Sequence, residues 1–263
     1  MSRLRSRDNP RVRRWHALAH DGGTRRSERR ALIEGPHLLC AYLASGGSPR
    51  AVLVSDSGSA KPEIADLVRR AALEPVTLPD ALFRWVVDAA TPAGLAAEIS
   101  LPEVAADLAQ ARHAVFLDAV QDAGNVGAIL RSAAAFGVDT AVLGPGCADP
   151  WSPKVLRAGM GGHFMLRIAV VADLAAAMTG FRGTLICAAA AGGEVPEALH
   201  FGDAVGWILG AEGQGVSAAA AARASLHASI PLAKGVESLN VAAAAAILFH
   251  ERARRLSKRD ARS

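Results

Sequence analysis

Residues 113–144 read HAVFLDAVQDAGNVGAILRSAAAFGVDTAVLG, and this stretch decides the fold. HAVFLDAV and DTAVLG are apolar runs, and GNVGAILRSAAAFG between them is an alanine-rich segment bounded by glycines. Such runs predict strands that are buried on both faces, and the segment between them predicts a helix. A strand–helix–strand succession predicts neighbouring parallel strands in an α/β sheet.

The same alternation continues to the end of the chain. HFMLRIAVV, GTLICAAA, VGWILGAE and ASIPL are further predicted strands, and SPKVLRAGMGG, DLAAAMTG and SLNVAAAAAILFHERARR are predicted helices. Upstream, ALIEGPHLL, AVLVS, PVTL and GLAAEIS predict a smaller α/β unit, with GLAAEIS as an edge strand. A linker or connecting helix at 101–112 separates the two. We therefore predict domains at 1–104 and 105–263.

Charge is concentrated at the two ends of the chain. Residues 1–30 carry a net charge of +7 and residues 251–263 a net charge of +4, while the whole chain has +4, so the middle is acidic. Nearly all of these basic residues are arginines, which suit bidentate phosphate contacts. The pattern favours a polyanionic partner such as a nucleic acid, although a solubilising terminus is the ordinary alternative.

Other bulk features exclude several classes of protein. Cys40, Cys147 and Cys187 are far apart and match no zinc spacing, which indicates buried thiols in a reducing compartment. We predict no metal. The Arg-rich N-terminal segment has no apolar stretch after it, so we expect no signal peptide, and the longest apolar run, 241–249, is too short to span a membrane. We therefore expect a cytoplasmic protein.

Three segments place polar residues and glycines where predicted strands end, which is where open parallel sheets bind ligands. The first carries Asn125 and Arg131, the second Gly210, Glu212 and Gly213, and the third Ser238 and Asn240. Each has an ordinary interpretation as well. Asn125 and Ser238 are N-cap residue types, Arg131 suits a surface, and a glycine-rich turn can be a turn alone.

Taken together and in this order, the segments resemble the three signature motifs of the SpoU/TrmH branch of the SPOUT methyltransferase superfamily. The resemblance covers about 113–252, and SLNV is its most specific part. IEGPHLL at 33–39 is similar to the family's accessory L30e-like RNA-binding domain, and SRDNPRV at 6–12 looks like the lead-in of members that modify rRNA. Ala123, where the family usually has Pro, and Gly159, where Ser is common, depart from the pattern.

The resemblance implies a parallel-sheet domain with a deep trefoil knot, a smaller N-terminal α/β domain, and a homodimer formed through the first-motif helix and the terminal helix. It implies transfer of a methyl group from S-adenosylmethionine to an RNA ribose 2′-hydroxyl, with rRNA favoured over tRNA. The implied catalytic residues are Asn125, Arg131, Glu212, Ser238 and Asn240. The implied cofactor contacts are Leu209, Gly210, Gly213, Ile230, Leu232, Leu239 and Asn240.

Chemistry limits what Arg131 can do, because a guanidinium stays protonated in proteins. Although the family's arginine is often described as the base, stabilising the developing alkoxide or gripping a phosphate is the better role. Lys154 and Arg157 are further candidates for phosphate contacts.

Three alternatives stay open. The first is a non-catalytic RNA-binding protein of the same fold, which would not transfer a methyl group. The second keeps the fold but methylates a base nitrogen or a tRNA. The third is an NAD enzyme, which would need a different glycine spacing.

Overall fold

The computed structural model describes residues 2–102 and 107–260, without the side chains of 258–260. These residues belong to two compact units, Met1–Glu103 with Asp149–Phe164, and Val104–Ala148 with Met165–Ser263. The predicted boundary at 104–105 and the basic residue Arg262 lie outside the described residues. None of the described helices has the length and apolar character needed to cross a bilayer.

The first unit holds a five-stranded mixed sheet with helices packed on it. Its elements are β1 (Ser2–Arg3), α1 (Pro10–His20), α2 (Gly22–Glu28), β2 (Arg30–Glu34), α3 (Pro36–Ala44), β3 (Ala51–Ser55), α4 (Asp56–Ser59), α5 (Pro62–Ala71), β4 (Val76–Leu78), α6 (Asp80–Val86) and β5 (Leu95–Ser100). The strand order is β1-β4-β3-β5-β2. Residues 149–164, which the sequence analysis places in the second domain, group with this unit because their helix contacts β2.

The prediction that GLAAEIS forms an edge strand is wrong, since β5 pairs with both β3 and β2. Its Glu98 is only 3% exposed, although a carboxylate is rarely buried without a partner. Arg14 Nη2 donates to Glu98 at 2.8 Å, Trp15 Nε1 donates at 2.8 Å, and Arg30 forms a further ion pair. These donors hold the pKa of Glu98 below its usual range despite burial, which opposes them. They explain how an acidic strand occupies the interior of the sheet.

The second unit is a six-stranded sheet in which every observed strand pair is parallel. Its elements, with the intervening α8 of the first unit, are β6 (His113–Asp118), α7 (Ala123–Ala135), β7 (Thr140–Leu143), α8 (Pro153–Gly159), β8 (Arg167–Val170), α9 (Leu174–Met178), β9 (Thr184–Ala188), β10 (Val205–Gly210), α10 (Ala218–Ala221), β11 (Leu226–Ala228) and α11 (Val241–Asp260). Short 3₁₀ turns lie at Leu108–Gln110 and Gly162–Met165.

The strand order β11-β9-β10-β6-β7-β8 places β10 and β6 at the centre of the sheet. Both strands are buried along nearly their whole length, and α7 packs against α11 on the sheet. The predicted α/β fold with a parallel sheet is therefore confirmed. ASIPL at 228–232 is a difference in detail, because the strand covers Leu226–Ala228 and only its last residue belongs to the predicted segment.

Candidate active site

The site is built at the carboxyl ends of the two central strands. β6 and β10 run in register, so that Gly210 is paired with Asp118 where both strands end. The loop after β10 closes on itself through hydrogen bonds between the backbones of Ala211 and Gly215, at 2.9 and 3.1 Å. A Cβ on Gly210 would meet the backbone of Gly215 at 2.1 Å. Glycine is therefore required at 210 by the chain's own loop.

Three predicted site residues form one hydrogen-bonded cluster, Asn125–Glu212–Asn240. Asn125 Nδ2 donates to Glu212 Oε1 at 2.7 Å, and Asn240 Nδ2 donates to the same oxygen at 2.9 Å and to Asn125 Oδ1 at 2.9 Å. Residues 125, 212 and 240 come from three different motifs and are brought together only by the sheet. Glu212 and Asn240 are exposed and Asn125 is half-buried, so the cluster is accessible to a substrate.

Helix capping fixes the orientation of two of these amides. Asp122 caps α7 by accepting a hydrogen bond from the backbone N–H of Asn125 at 2.8 Å, which leaves the Asn125 amide free to reach Glu212. Asn240 caps α11, because its Oδ1 accepts from Ala242 N at 2.9 Å. The N-cap interpretation of Asn125 and Ser238 is therefore wrong. In both helices the capping residue is the one that directly precedes the first helical residue.

Two cavities flank the cluster. The larger has a volume of about 520 Å³, and Glu212, Glu237 and Ser238 contribute to its wall. The predicted cofactor contacts in the same wall are Leu209, Gly210, Gly213, Ile230, Leu232 and Leu239. Asn240 is not part of this wall and belongs to the cluster. The smaller cavity, of about 270 Å³, is lined by Asn125 and Glu212 together with the loop that follows β6.

Glu212 and Gln214 belong to the walls of both cavities. The sequence analysis did not select Gln214, nor Gln121 in the smaller cavity, nor Glu237 in the larger one. Each lies within a few residues of a selected residue. The sequence pattern therefore indicated the right segments without indicating these individual residues. Among the described residues, no group of three or more His, Cys, Asp or Glu side chains is arranged to hold a metal ion.

Arg131 stands apart from the cluster. It is exposed on α7, six residues after Asn125, a spacing of about 9 Å along the helix axis and about 120° around it. Within the described part of the chain, no hydrogen-bond or ion-pair partner reaches its guanidinium. The structure therefore places Asn125, Glu212 and Ser238 in the cavity walls and Asn240 in the cluster beside them, and it leaves Arg131 exposed.

The two departures from the family pattern have simple structural settings. Ala123 is the first residue of α7, where proline is favoured but replaceable, and Asp122 supplies the cap. Gly159 is buried at the end of α8, in the first unit, and lines neither cavity. Arg157 on the same helix forms ion pairs with Glu34 at 3.7 Å and Asp88 at 3.6 Å, so carboxylates already engage it.

The chain is similar to known RNA methyltransferases in sequence and in fold. The 23S rRNA (guanosine(2553)-2′-O)-methyltransferase RlmP of Bacillus subtilis is 35% identical over 95% of this chain and 98% of its own length. A solved RNA 2′-O ribose methyltransferase is 28% identical with a TM-score of 0.80, covering 97% of this chain and 99% of the other.

The SpoU methyltransferase AviRb of Streptomyces viridochromogenes, crystallised with AdoMet, has a TM-score of 0.85 at 23% identity, over 94% of this chain and 98% of its own, and shares the fold. The model of the SpoU rRNA Methylase family matches residues 112–250. The chain therefore belongs to the SpoU rRNA methylase family.

Proposed function

We propose that this protein transfers a methyl group from S-adenosylmethionine to a ribose 2′-hydroxyl of ribosomal RNA. The observation that carries the proposal is the Asn125–Glu212–Asn240 cluster, which stands between a larger cavity suited to a cofactor and a smaller polar one. Family membership supports methyl transfer. The RlmP relative, which is matched over 98% of its length, favours rRNA over tRNA.

The larger cavity fits S-adenosylmethionine in size and chemistry. Its volume of about 520 Å³ lies within the usual range of ligand pockets. Apolar side chains such as Leu209, Ile230 and Leu239 offer contacts for an adenine ring, while the carboxylates of Glu212 and Glu237 favour a positively charged group. S-adenosylmethionine supplies a methyl group already activated on a sulfonium centre. The protein's remaining task is to position the hydroxyl and to help it lose its proton.

The smaller cavity suits the sugar that accepts the methyl group. Gln121, Asn125, Glu212 and Gln214 give its wall both hydrogen-bond donors and acceptors. When bound, S-adenosylmethionine would supply the methyl group to the 2′-oxygen and leave as S-adenosylhomocysteine, while the hydroxyl proton would pass to water. Glu212 orients both amides, Asn125 lies in the wall beside the sugar, and Ser238 borders the cofactor.

We assign Arg131 to the stabilisation of negative charge on the reacting oxygen or the adjacent phosphate. Its distance from Asn125 along α7 and its exposure suit a group that meets RNA bound over the surface. A homodimer formed through α7 and α11 would bring a second copy beside it. Ile247 on α11 is 41% exposed although it is a large apolar residue, which supports such an interface.

Further parts of the proposal rest on the family resemblance. We propose that the chain is knotted between β10 and α11. The order β11-β9-β10-β6 supports this, because the chain runs from the sheet centre to its edge before α11 returns to pack on α7.

We also propose that the first unit binds RNA, and that the protein acts in the cytoplasm, where ribosomes are assembled.

The proposal is tested by incubating the full chain with radiolabelled S-adenosylmethionine and with rRNA or tRNA from a strain that lacks the gene. We expect label in rRNA that survives alkali as a resistant dinucleotide. Replacing Arg131 with Ala should lower kcat/KM by about 10²- to 10³-fold, the usual cost of losing a preorganised charge stabiliser. Arg223 is another exposed arginine of the second unit, and Arg223→Ala is the matched control.

The alternative reading has a distinct signature. A non-catalytic RNA-binding protein of the same fold would bind rRNA and leave it unlabelled at every enzyme concentration. Label confined to tRNA would contradict the assignment of rRNA as the substrate. Label that alkali releases as single nucleotides would contradict the assignment of the ribose as the methylated group.

A further inference from the structure

Four side chains of the first unit, three aromatic rings and one guanidinium, form a stack. The rings of His16 and Trp85 lie 3.8 Å apart at an angle of 3°, and those of His16 and His20 lie 4.1 Å apart at 29°. Arg7 lies over the same indole, with its guanidinium carbon 5.2 Å from the ring centre. We call Arg7, Trp85, His16 and His20 the stacked column.

Hydrogen bonds hold the rings of the column in place. His16 Nδ1 lies 2.7 Å from the carbonyl oxygen of Trp85, and His20 Nδ1 lies 2.9 Å from that of His16. Because a carbonyl oxygen only accepts, each Nδ1 must carry a proton and donate. The helices beneath are anchored by buried Trp15 and Phe83 in the core of the unit. The column is therefore a rigid surface feature, with little conformational entropy left to lose on binding.

One end of the column is open. His20 is exposed at the last turn of α1, whereas His16 and Trp85 are half-buried. In the part of the chain that the structure describes, no ring or guanidinium is stacked on the second face of His20. Its neighbour Asp21 is turned away to cap α2, accepting from Gly23 and Thr24, so its carboxylate is already engaged.

The helix that carries His20 is rich in positive charge. Arg13 is exposed and shares the face of α1 with His16 and His20, at a spacing of three and seven residues. Among the described residues no carboxylate lies within ion-pair distance of Arg5, Arg11 or Arg13. The first thirty residues together carry +7. Arg11 lies over the Trp15 ring, with its guanidinium carbon 5.0 Å from the ring centre, whereas Arg13 has no such partner among the described residues. A flat ring with an unpaired arginine on the same helix face matches a nucleotide, with the base on the ring and the phosphate on the guanidinium group.

We propose that the stacked column is a docking site for an unpaired RNA base, which stacks on the open face of His20 while Arg13 contacts the neighbouring phosphate. The inference rests on the proposed function in taking RNA as the ligand, and it adds a base-contacting site in the first unit. A protein or lipid partner is disfavoured because the column offers polar rings and positive charge, without an aliphatic patch.

The test uses the full chain and a short single-stranded oligoribonucleotide of uridines with one central 2-aminopurine, whose fluorescence is quenched by stacking. We expect quenching on binding, with less quenching when the probe is paired to a complementary strand. His20→Ala should weaken binding at least about fivefold and abolish the quenching. His20→Phe should retain both, because it keeps a flat ring.

Salt dependence separates the base contact from the phosphate contact. Replacing Arg13 with Gln should reduce the slope of log affinity against log salt by about 0.7 and leave the quenching in place. His20→Ala should leave that slope unchanged. His200→Ala, at an exposed histidine of the second unit, is the control for loss of an imidazole.

Two results would overturn the site. One is full quenching and affinity in His20→Ala, and the other is the absence of quenching in the wild-type protein. Neither depends on methyl transfer, because the assay contains no S-adenosylmethionine. Methylation of rRNA by the same preparation would show that the proposed function stands even where the docking site fails.

Discussion

Asn240 connects the cluster to the helix that follows it. Its Nδ2 donates to Asn125 and Glu212, while its Oδ1 accepts from the backbone at the start of α11. One amide therefore serves the site with its nitrogen and the fold with its oxygen. A substitution that keeps an acceptor oxygen but removes the amide nitrogen would separate the role in the site from the role in capping α11.

Asn240→Ser and Asn240→Ala form such a pair. Serine can still cap α11, so we expect its free energy of unfolding to stay within about 0.5 kcal/mol of wild type, whereas alanine should cost about 1 kcal/mol. Both remove the donors to Asn125 and Glu212 and should lower kcat about 10- to 100-fold through misplacement of the site. Urea unfolding and methyl-transfer assays measure the two effects.

A serine variant with wild-type kcat would show that the cluster does not serve catalysis. Equal stability of the two variants would instead show that the contact to the backbone of α11 contributes little.

At the scale of elements, the loop after β10 depends on close backbone contact. Gly210 ends the strand, and the loop folds back so tightly that Gly215 occupies the space of a side chain. The larger cavity has both glycines in its wall. The shape of the cavity therefore depends on how this strand ends.

Gly210→Ala should force the loop away from the strand, because a Cβ would lie 2.1 Å from backbone atoms. We expect a loss of about 1–3 kcal/mol in stability and at least tenfold weaker binding of S-adenosylmethionine, which about 1.4 kcal/mol of lost contact suffices to produce. Thermal unfolding and titration calorimetry test this. Gly202→Ala is the control, since nothing lies within 4 Å of its Cβ position.

Unchanged cofactor affinity in Gly210→Ala, in a protein that is destabilised, would separate the loop from the cofactor site. It would direct attention to wall residues outside this loop, such as Ile230 and Leu239.

Over the whole molecule, each unit buries a histidine that the site does not use. His113 Nε2 accepts from Trp207 Nε1 at 3.1 Å, and burial, with a smaller contribution from Arg252, lowers the pKa of His113 to about 3. Burial likewise lowers the pKa of His163 to about 4. Both imidazoles are thus neutral in the folded protein at pH values where the unfolded chain takes up protons.

Stability should therefore fall with acid before the carboxylates titrate. The unfolded histidine has a pKa near 6.5, so the contribution of His113 is complete above that pH and is lost as the pH falls from 6.5 towards about 3. We expect about 1.4 kcal/mol per pH unit for each such proton. Urea unfolding at pH 7 and pH 5 measures the slope.

His113→Gln keeps an acceptor for Trp207. It should reduce the slope of unfolding free energy against pH by the amount that corresponds to about one proton. The exposed His200→Gln should leave it unchanged. An identical slope in wild type and His113→Gln would mean that His113 is protonated in the folded protein.

The sequence by itself determined the fold class, the central strands and the segments of the site. Buried parallel strands must be apolar along their length, so HAVFLDAV and VGWILGAE predict them from composition and order alone. Asn125, Glu212 and Asn240 were selected because they follow predicted strands or begin a predicted helix. Position selected the segments, and the family resemblance singled out these residues as catalytic candidates.

Only the tertiary structure decided which partners these residues have. The hydrogen bonds of the Asn125–Glu212–Asn240 cluster, the bond from Trp15 to the buried Glu98 of β5 and the stacking of Trp85 on His16 all join residues far apart in the chain. A local sequence pattern indicates that a helix or strand is buried, but it does not indicate which other elements pack against it. The hydrogen bonds that set each side chain's role form only when the sheet order brings its strand ends together.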